Sequence, residues 1–251
     1  MRFDIITLFP ELFAPFLASG VTRRAYESGQ VAVHLWNPRD YAEGNYRRVD
    51  DRPFGGGPGM VMLAGPLERC LAAIREARQQ PREQAPLVLF SPIGEALGHA
   101  AVERWSQSAG AVLLCGRYEG IDQRFIDHHV DAQISLGDFV LSGGEIAAMA
   151  LLDAVTRLQP GVLNDEGSHQ LDSFNPALDG LLDCPHYTRP EVWNGEAVPP
   201  ELMSGHHAQI ERWRRDQRLR ITAQHRPDLI EQARSAGRLN AKDEALLARL
   251  A

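Results

Sequence analysis

The fold of this chain is decided by two stretches, Leu113-Leu-Cys-Gly-Arg-Tyr-Glu-Gly-Ile-Asp122 and Ile134-Ser-Leu-Gly-Asp-Phe-Val-Leu-Ser-Gly-Gly-Glu145. Each follows an apolar run that predicts a strand, at 111–115 and 132–134, and each then breaks into a glycine-rich loop. Glycine lets the backbone turn tightly and approach a ligand with no Cβ in the way. Two such loops at the carboxyl ends of parallel strands predict a ligand pocket. Ordinary strand-to-helix turns are the alternative, and the charged residues embedded in both loops favour the pocket.

Outward from these loops, predicted strands alternate with predicted helices from residue 2 to residue 158. Further strands are predicted at 2–8, 31–36 and 86–90, and helices at 11–17, 21–28, 60–80, 99–108, 123–129 and 145–158. This alternation is typical of a parallel sheet with helices on its faces, so the fold class is α/β. A polar segment at 39–59 interrupts the pattern and is long enough to be functional. Its triple glycine is no P-loop, because no Gly-Lys-Ser/Thr follows.

The chain changes character near residue 160. Residues 161–190 are polar, acidic and punctuated by proline, which indicates a linker with a function of its own. Residues 191–251 predict a small all-α domain, with its positive charge crowded into 212–220. The predicted organisation is therefore a parallel-sheet domain at 1–160, the linker, and the helical domain.

Composition excludes several classes of protein. The net charge of −7 on its face argues against a nucleic-acid partner, although the arginine-rich stretch qualifies that argument. Three scattered cysteines do not predict a disulfide framework or a zinc site. No signal peptide and no apolar run of about 20 residues is present, so a soluble, cytoplasmic protein is expected. The sequence has no serine elbow and no GxGxxG after the first strand, and its histidines lack metal-ligand spacing.

Four motifs together resemble the bacterial tRNA (guanine-37-N1)-methyltransferases, a family of the SPOUT class. The motifs are Asp50-Asp-Arg-Pro-Phe-Gly-Gly-Gly-Pro-Gly-Met60, Cys115-Gly-Arg-Tyr-Glu-Gly-Ile-Asp122, Ser135-Leu-Gly-Asp-Phe-Val-Leu-Ser-Gly-Gly-Glu145 and Leu182-Asp-Cys-Pro-His-Tyr-Thr-Arg-Pro190. They are long, occur in the family's order, and span almost the whole chain.

This resemblance implies a deep trefoil knot near the carboxyl end of the first domain, a feature that is exceptional among proteins. It also implies S-adenosylmethionine bound among three knot loops, which correspond to 89–94, 115–120 and 135–144. The residues expected to contact this cofactor are Leu89, Phe90, Ser91, Pro92, Gly116, Tyr118, Glu119, Gly120, Ser135, Leu136, Gly137, Phe139, Leu141, Gly143 and Gly144. Leu89 departs from the family pattern, which often has an aromatic residue there.

The implied reaction is methyl transfer to N1 of the guanine that follows the anticodon, in a homodimer whose active sites form between subunits. Asp172 matches the family's general base and Arg157 its key arginine. Guanine N1 carries a proton that it must lose before it attacks, and a carboxylate is a weak base for that step. A cation near O6, where negative charge develops, would assist it. Without the resemblance, a helix-end cation that compensates the helix dipole is the preferred interpretation of Arg157, and a turn residue before Ser173 is a plausible interpretation of Asp172.

A base in the anticodon loop can be splayed out and read on its Watson–Crick edge. The residues expected to contact the RNA are Arg47, Asp50, Arg52, Gly57, Gly59, Arg214 and Arg215. The family is also associated with magnesium, for which Glu119 is the nearest matching acid, although no ligand spacing supports a site.

Two alternatives stay open. A related knotted tRNA 2′-O-ribose methyltransferase would act on the sugar instead of the base, and the linker that carries Asp172 disfavours it. A catalytically silent RNA-binding module is disfavoured by the presence of Asp172, Arg157 and both glycine loops.

Overall fold

The computed structural model describes residues 1–164 and 167–250. Asp165 and Glu166, two acids of the predicted linker, lie outside the described residues. The chain divides into two compact units, Met1–Leu163 and Asn164–Ala251. The three-part organisation expected from the sequence stays a prediction.

The first unit is built on a five-stranded parallel sheet with the strand order β2-β1-β6-β5-β7. The strands are β1 (Arg2–Ile6), β2 (Ala32–Trp36), β5 (Leu87–Ala96), β6 (Gly110–Leu114) and β7 (Ala132–Ser135). All residues of β6 are buried, as is typical of a parallel strand covered on both faces. The five strands predicted from the apolar runs, and the parallel sheet expected from their alternation with helices, are confirmed.

Helices cover both faces of this sheet. They are α1 (Phe13–Leu17), α2 (Arg23–Glu27), α3 (Ala64–Arg78), α4 (His99–Ser106), α5 (Gln123–His129) and α6 (Glu145–Thr156). One apolar cluster joins α6 to one face through residues such as Leu151 and Ile5. A second cluster joins α3 to the opposite face through residues such as Ile74 and Leu87. The two clusters make the layered core that positions the strand ends.

The polar segment at 39–59 is more ordered than its composition suggested. A 3-10 turn, Pro38–Tyr41, follows β2, and a short antiparallel pair forms between β3 (Asp50–Asp51) and β4 (Val61–Met62). The helix expected at 60–80 therefore begins only at Ala64. The prediction was wrong at this end because two residues of strand leave no periodicity to detect.

The second unit is mainly helical. Its elements are β8 (Val192–Trp193), β9 (Glu196–Ala197), α7 (Pro200–Met203), α8 (His207–His225), α9 (Pro227–Ser235) and α10 (Ala241–Leu247). Leu181, Leu219, Ile230 and Leu247 form its apolar core. The all-α expectation missed the β8–β9 hairpin, whose Asn194-Gly195 turn has positive φ at both residues, the conformation that this dipeptide favours.

None of the helices in the described part of the chain is long and apolar enough to cross a membrane.

Candidate functional site

A pocket of about 280 Å³ lies at the carboxyl ends of β5, β6 and β7. It is lined by every residue that the resemblance predicts to bind the cofactor, from Leu89 to Gly144. The structure therefore brings the three predicted loops together around one cavity. This is the edge of an open parallel sheet where ligands usually bind.

The first of these loops is an irregularity within β5 instead of a turn after it. The strand was expected to end at residue 90, but it continues to Ala96, and its pairing with β7 shifts between Phe90 and Glu95. Pro92 has no backbone N–H and so cannot donate to the sheet at this point. Ser91 and Pro92 line the pocket as a result. Bulges of this kind often direct residues towards a functional site.

The second and third loops approach each other through glycine. The N–H of Gly144 donates to the carbonyl oxygen of Gly116, with an N···O distance of 3.0 Å. A Cβ at Gly144 would lie 2.7 Å from the Cα of Cys115, which is too close for any side chain. Gly144 is therefore needed for the contact between two loops.

Gly116 contrasts with Gly144. A Cβ at Gly116 would make ordinary contacts of 3.5 Å with Ile121 and 3.8 Å with Leu89, and its φ is not in the left-handed region. Gly116 lines the pocket directly. A side chain there would occupy pocket space without distorting the backbone.

A buried ion pair joins the same two loops. Arg117 of the second loop places its Nη2 2.9 Å from Oε2 of Glu145, the first residue of α6, and the Glu145 side chain is 1% exposed. The Nη1 of Arg117 donates to the carbonyl oxygen of Ser142 at 3.1 Å. The hydroxyl of Thr7, just after β1, donates to Oε1 of Glu145 at 2.8 Å. Sequence reasoning noticed both charges in the loops but missed that they pair, and Thr7 carried no signal.

The remaining acids near the pocket have other roles. Asp122 caps the first turn of α5, and its hydrogen bonds from Arg124 lower the pKa of its carboxyl. Glu119 is exposed, with its side chain against Gly59. Within the described residues, no three His, Cys, Asp or Glu side chains group as metal ligands. Magnesium, with Glu119 as its candidate ligand, stays a prediction, because this cation often binds through one or two carboxylates together with phosphate groups.

The pocket does fit S-adenosylmethionine in its chemistry. Apolar side chains, including Leu89, Ile121 and Leu141, supply surfaces suited to a flat base, and the glycine loops expose backbone groups suited to hydrogen bonding. Cys115 is buried beneath the loops, and burial raises the pKa of its thiol well above the usual value. It therefore stays protonated and does not act as a nucleophile.

Neither of the two predicted catalytic residues is among the residues that line this pocket. Arg157 is the residue that ends α6, whereas the pocket lies at the beginning of that helix. Twelve helical residues span about 18 Å, so Arg157 and the pocket of its own chain are far apart. Asp172 belongs to the second unit, where it follows the 3-10 turn His169–Leu171 and is partly exposed.

The predicted RNA-binding residues of the first unit occupy the β3–β4 region. Asp50 is in β3, and Gly57 and Gly59 lie in the connection to β4, both with positive φ. Arg52 is exposed, and Arg47 forms an exposed ion pair with Asp40 at 3.3 Å. The aromatic ring of Phe54, in the same connection, is 100% exposed.

The arginines of α8 differ sharply from one another. Arg215 has Nη1 2.6 Å from Asp179 and Nη2 3.0 Å from Asp243, whose side chain is fully buried. Arg218 pairs in the same unit with Asp183 at 3.3 Å. Arg214 is more exposed and pairs with Glu211 on its own helix. Arg215 is thus occupied in holding the second unit together, which makes it a poorer candidate for RNA contact than the sequence suggested.

The parallel sheet and its glycine-lined pocket define an α/β protein with a small-molecule site at the carboxyl ends of its strands. A model of the family described as tRNA (Guanine-1)-methyltransferase TrmD matches residues 1–232. A protein of Paracidovorax citrulli is 77% identical over 251 residues, covering 100% of this chain and 98% of that protein. A Polaromonas protein is 75% identical, covering 100% and 97%, and one of Leptothrix cholodnii is 65% identical, covering 100% and 99%. Each is named tRNA (guanine-N(1)-)-methyltransferase.

This chain belongs to the tRNA (guanine-1)-methyltransferase family. The family resemblance inferred from the four motifs is confirmed, and with it the enzyme class.

Proposed function

We propose that this protein transfers a methyl group from S-adenosylmethionine to N1 of the guanine that follows the anticodon in tRNA. The observation that carries the proposal is the single pocket lined by all the residues expected to bind the cofactor. The named activity of relatives that cover the whole chain supports the base and the atom modified.

In this proposal, the loops of the pocket hold the cofactor, and Asp172 and Arg157 are the groups that act on guanine. The bound cofactor supplies a methyl group already activated on a positively charged sulfur. Backbone groups of Gly116 and Leu136 and apolar side chains such as Leu141 orient it and exclude water.

Asp172 accepts the proton from guanine N1, which gives the ring nitrogen the electron pair it needs. Arg157 stabilises the negative charge that then develops on O6. General base catalysis by such a group contributes about a hundredfold or more. Preorganised positive charge contributes a similar factor.

We propose that the active form is a homodimer with composite sites. Arg157 lies at the opposite end of α6 from the pocket of its own chain, so an Arg157 that serves this pocket comes from a second copy. Large apolar side chains near the pocket are exposed, among them Phe139, Val140 and Ile146. A second copy that covers them would remove that apolar surface from water.

The trefoil knot is also a proposal. β7 lies at the edge of the sheet, yet the chain after it returns to the end of β6, where Gly144 bonds Gly116. α6 then packs on the sheet core beside β1 and β6. A chain that passes back through its own loop in this way accounts for the close backbone contact at Gly144.

For the RNA, we propose the β3–β4 region of the first unit and the helical part of the second unit as contact surfaces. The exposed Arg52 and the partly exposed Arg214 suit phosphate groups, and contacts of this kind fix register without reading sequence. The exposed ring of Phe54 suits stacking on an unpaired base.

The test is methyl transfer to tRNA transcripts that differ only at the position after the anticodon. We expect transfer with guanine there and none with adenine. Nuclease digestion of the product to nucleosides should place the methyl on the base. A methyl on the ribose would instead establish the 2′-O-methyltransferase alternative, and no transfer with cofactor bound would favour the silent RNA-binding module.

Composite sites are tested by complementation. A Gly116→Val chain has a filled pocket but keeps Asp172. An Asp172→Asn chain keeps an open pocket but lacks the base. In a mixed dimer with shared sites, one site receives both changes and the other neither, so about half the wild-type activity per dimer should return. If each site were built within one chain, mixing would restore nothing. The two chains should carry different tags and be co-expressed, because a knotted dimer need not exchange subunits.

A further inference from the structure

We infer that Arg117 is a positioning residue for the cofactor, acting as a clamp between the second and third pocket loops. This rests on the proposed function and deepens it. Arg117 lies in the loop after β6, and its guanidinium makes polar contacts with Ser142 and Glu145, which follow β7. The side chain therefore spans two loops that must stay in register for a ligand to touch both.

Three features show that this bridge is built into the fold. The guanidinium carbon lies 4.3 Å above the ring of Phe9, a contact between a cation and an aromatic face. Gly143 leaves the space that Arg117 fills, because a Cβ there would collide with the guanidinium end of Arg117. Phe9 is itself held by its backbone N–H, which donates to the hydroxyl of Thr7 at 3.0 Å.

Glu145 anchors the clamp from the other side. Its carboxylate is almost fully buried and is held by Arg117 and by the Thr7 hydroxyl. A buried charge needs such partners, because its hydration is lost on folding. Glu145 also begins α6, where the helix dipole favours a negative charge. The start of α6 and the loop before it are thus tied to the loop after β6.

Arg117 contributes both to the stability of the fold and to the shape of the pocket, and mutation can separate the two contributions. Its charge compensates the buried Glu145, which stabilises the fold. Its hydrogen bond to the Ser142 carbonyl fixes the third loop, which shapes the pocket. Neutralising Glu145 in a chain that lacks Arg117 would repair the first contribution and leave the second lost.

The variants are Arg117→Met, Arg117→Lys, Glu145→Gln and the double change Arg117→Met with Glu145→Gln. For each, S-adenosylmethionine binding is measured by calorimetric titration and Tm by circular dichroism. We expect Arg117→Met to lower both Tm and cofactor affinity, with affinity falling at least tenfold. The double variant should recover most of the lost Tm while its affinity stays at least fivefold below wild type. Arg117→Lys should recover part of the affinity, since an ammonium group still reaches between the loops.

Arg82→Met is the matched control. Arg82 pairs with Asp131 at 2.7 Å beside the first residues of β5, at the opposite end of the sheet from the pocket. Cofactor affinity should be unchanged in this variant. The inference is overturned if affinity is unchanged in Arg117→Met, or if affinity recovers together with Tm in the double variant. A wild-type chain that binds no S-adenosylmethionine would overturn the proposed function itself, so the two failures are distinguishable.

Discussion

The pocket loops of the first unit and α8 of the second unit are both rich in charged residues, and they use charge in opposite ways. In the loops, Arg117 pairs with the buried Glu145, and glycine and apolar residues make up most of the lining of the cavity. In α8, Arg215 and Arg218 form ion pairs with Asp179, Asp243 and Asp183 of their own unit.

The difference shows that a run of arginines is a weak guide to a partner, whereas glycines at strand ends are a strong guide to a pocket. A long arginine side chain can turn inward or outward, and neighbouring acids decide which. A glycine-rich loop has far fewer uses, since its value lies in close approach of the backbone. The predictions that follow test this contrast.

The largest effect is expected for Asp172→Asn. This substitution tests whether the second unit contributes a catalytic residue. Methyl transfer should fall by about a hundredfold or more, because the amide cannot accept the N1 proton. S-adenosylmethionine binding should be nearly unchanged, since Asp172 is not among the pocket residues. Single-turnover kinetics and calorimetric titration measure the two quantities. Unchanged turnover would remove Asp172 as the base.

Two glycine variants in the loops distinguish an effect on cofactor binding from an effect on folding stability. Gly116→Val should abolish measurable cofactor binding while Tm stays near wild type, because its Cβ meets only ordinary contacts. Gly144→Val should instead lower Tm strongly, since its Cβ would collide with the backbone at Cys115. Thermal melts and cofactor titrations on both proteins give the comparison. A stable Gly144→Val chain with tight binding would contradict the close approach of the two loops.

Within α8, Arg215 and Arg220 form a matched pair. Arg215→Met should reduce the free energy of unfolding by about 2 kcal/mol, because it removes a charged hydrogen bond to the buried Asp243 and leaves Arg212 as the ion-pair partner of that carboxylate. Arg220 is exposed, and Arg220→Met should change the free energy by less than about 0.5 kcal/mol. Urea unfolding measures both. Equal effects of the two changes would mean that the ion pairs of Arg215 contribute little.

The smallest effect concerns pH. Burial of Asp243 opposes its ionisation, but hydrogen bonds from Arg215 and from the Asn240 N–H outweigh burial and lower the pKa of the carboxyl. A lowered pKa in the folded state means that ionised Asp243 stabilises the second unit above the unfolded value of about 4. This contribution is lost as pH falls through the folded pKa.

Thermal unfolding of wild type and Asp243→Asn, compared between pH 7 and pH 3, measures this contribution. The variant should be less stable at pH 7 and should lose less Tm on acidification. Parallel pH curves for the two proteins would show that Asp243 is not a source of the acid sensitivity.

The fold was predictable where local pattern and burial agree. β1 and β6 are runs of mainly β-branched and apolar residues that are almost entirely buried, and such runs have few alternatives in a chain of this kind. The short pair of β3 and β4 was missed, because strands of two residues owe their existence to tertiary contacts alone. The β8–β9 hairpin was missed although Asn194-Gly195 signalled it.

The candidate site likewise contains residues that the sequence identified and contacts that only the structure showed. The pocket residues could be found because each loop carries its glycines within a few positions of a strand end. The pairing of Arg117 with Glu145 could not be predicted from the sequence, since 28 positions separate the two residues and no local pattern relates them. The predicted helix at 145–158 already placed Arg157 at the end far from the 135–144 loop, and the structure confirms that position.

The sequence by itself determined the parallel sheet, the loops that line its pocket and the family to which the chain belongs. These rest on periodicity, on glycine and on motif order, which are properties of the linear chain. Only the tertiary structure decided which charges pair and why Gly144 admits no side chain. Those outcomes depend on distances between residues far apart in the chain, and packing sets such distances where local pattern does not.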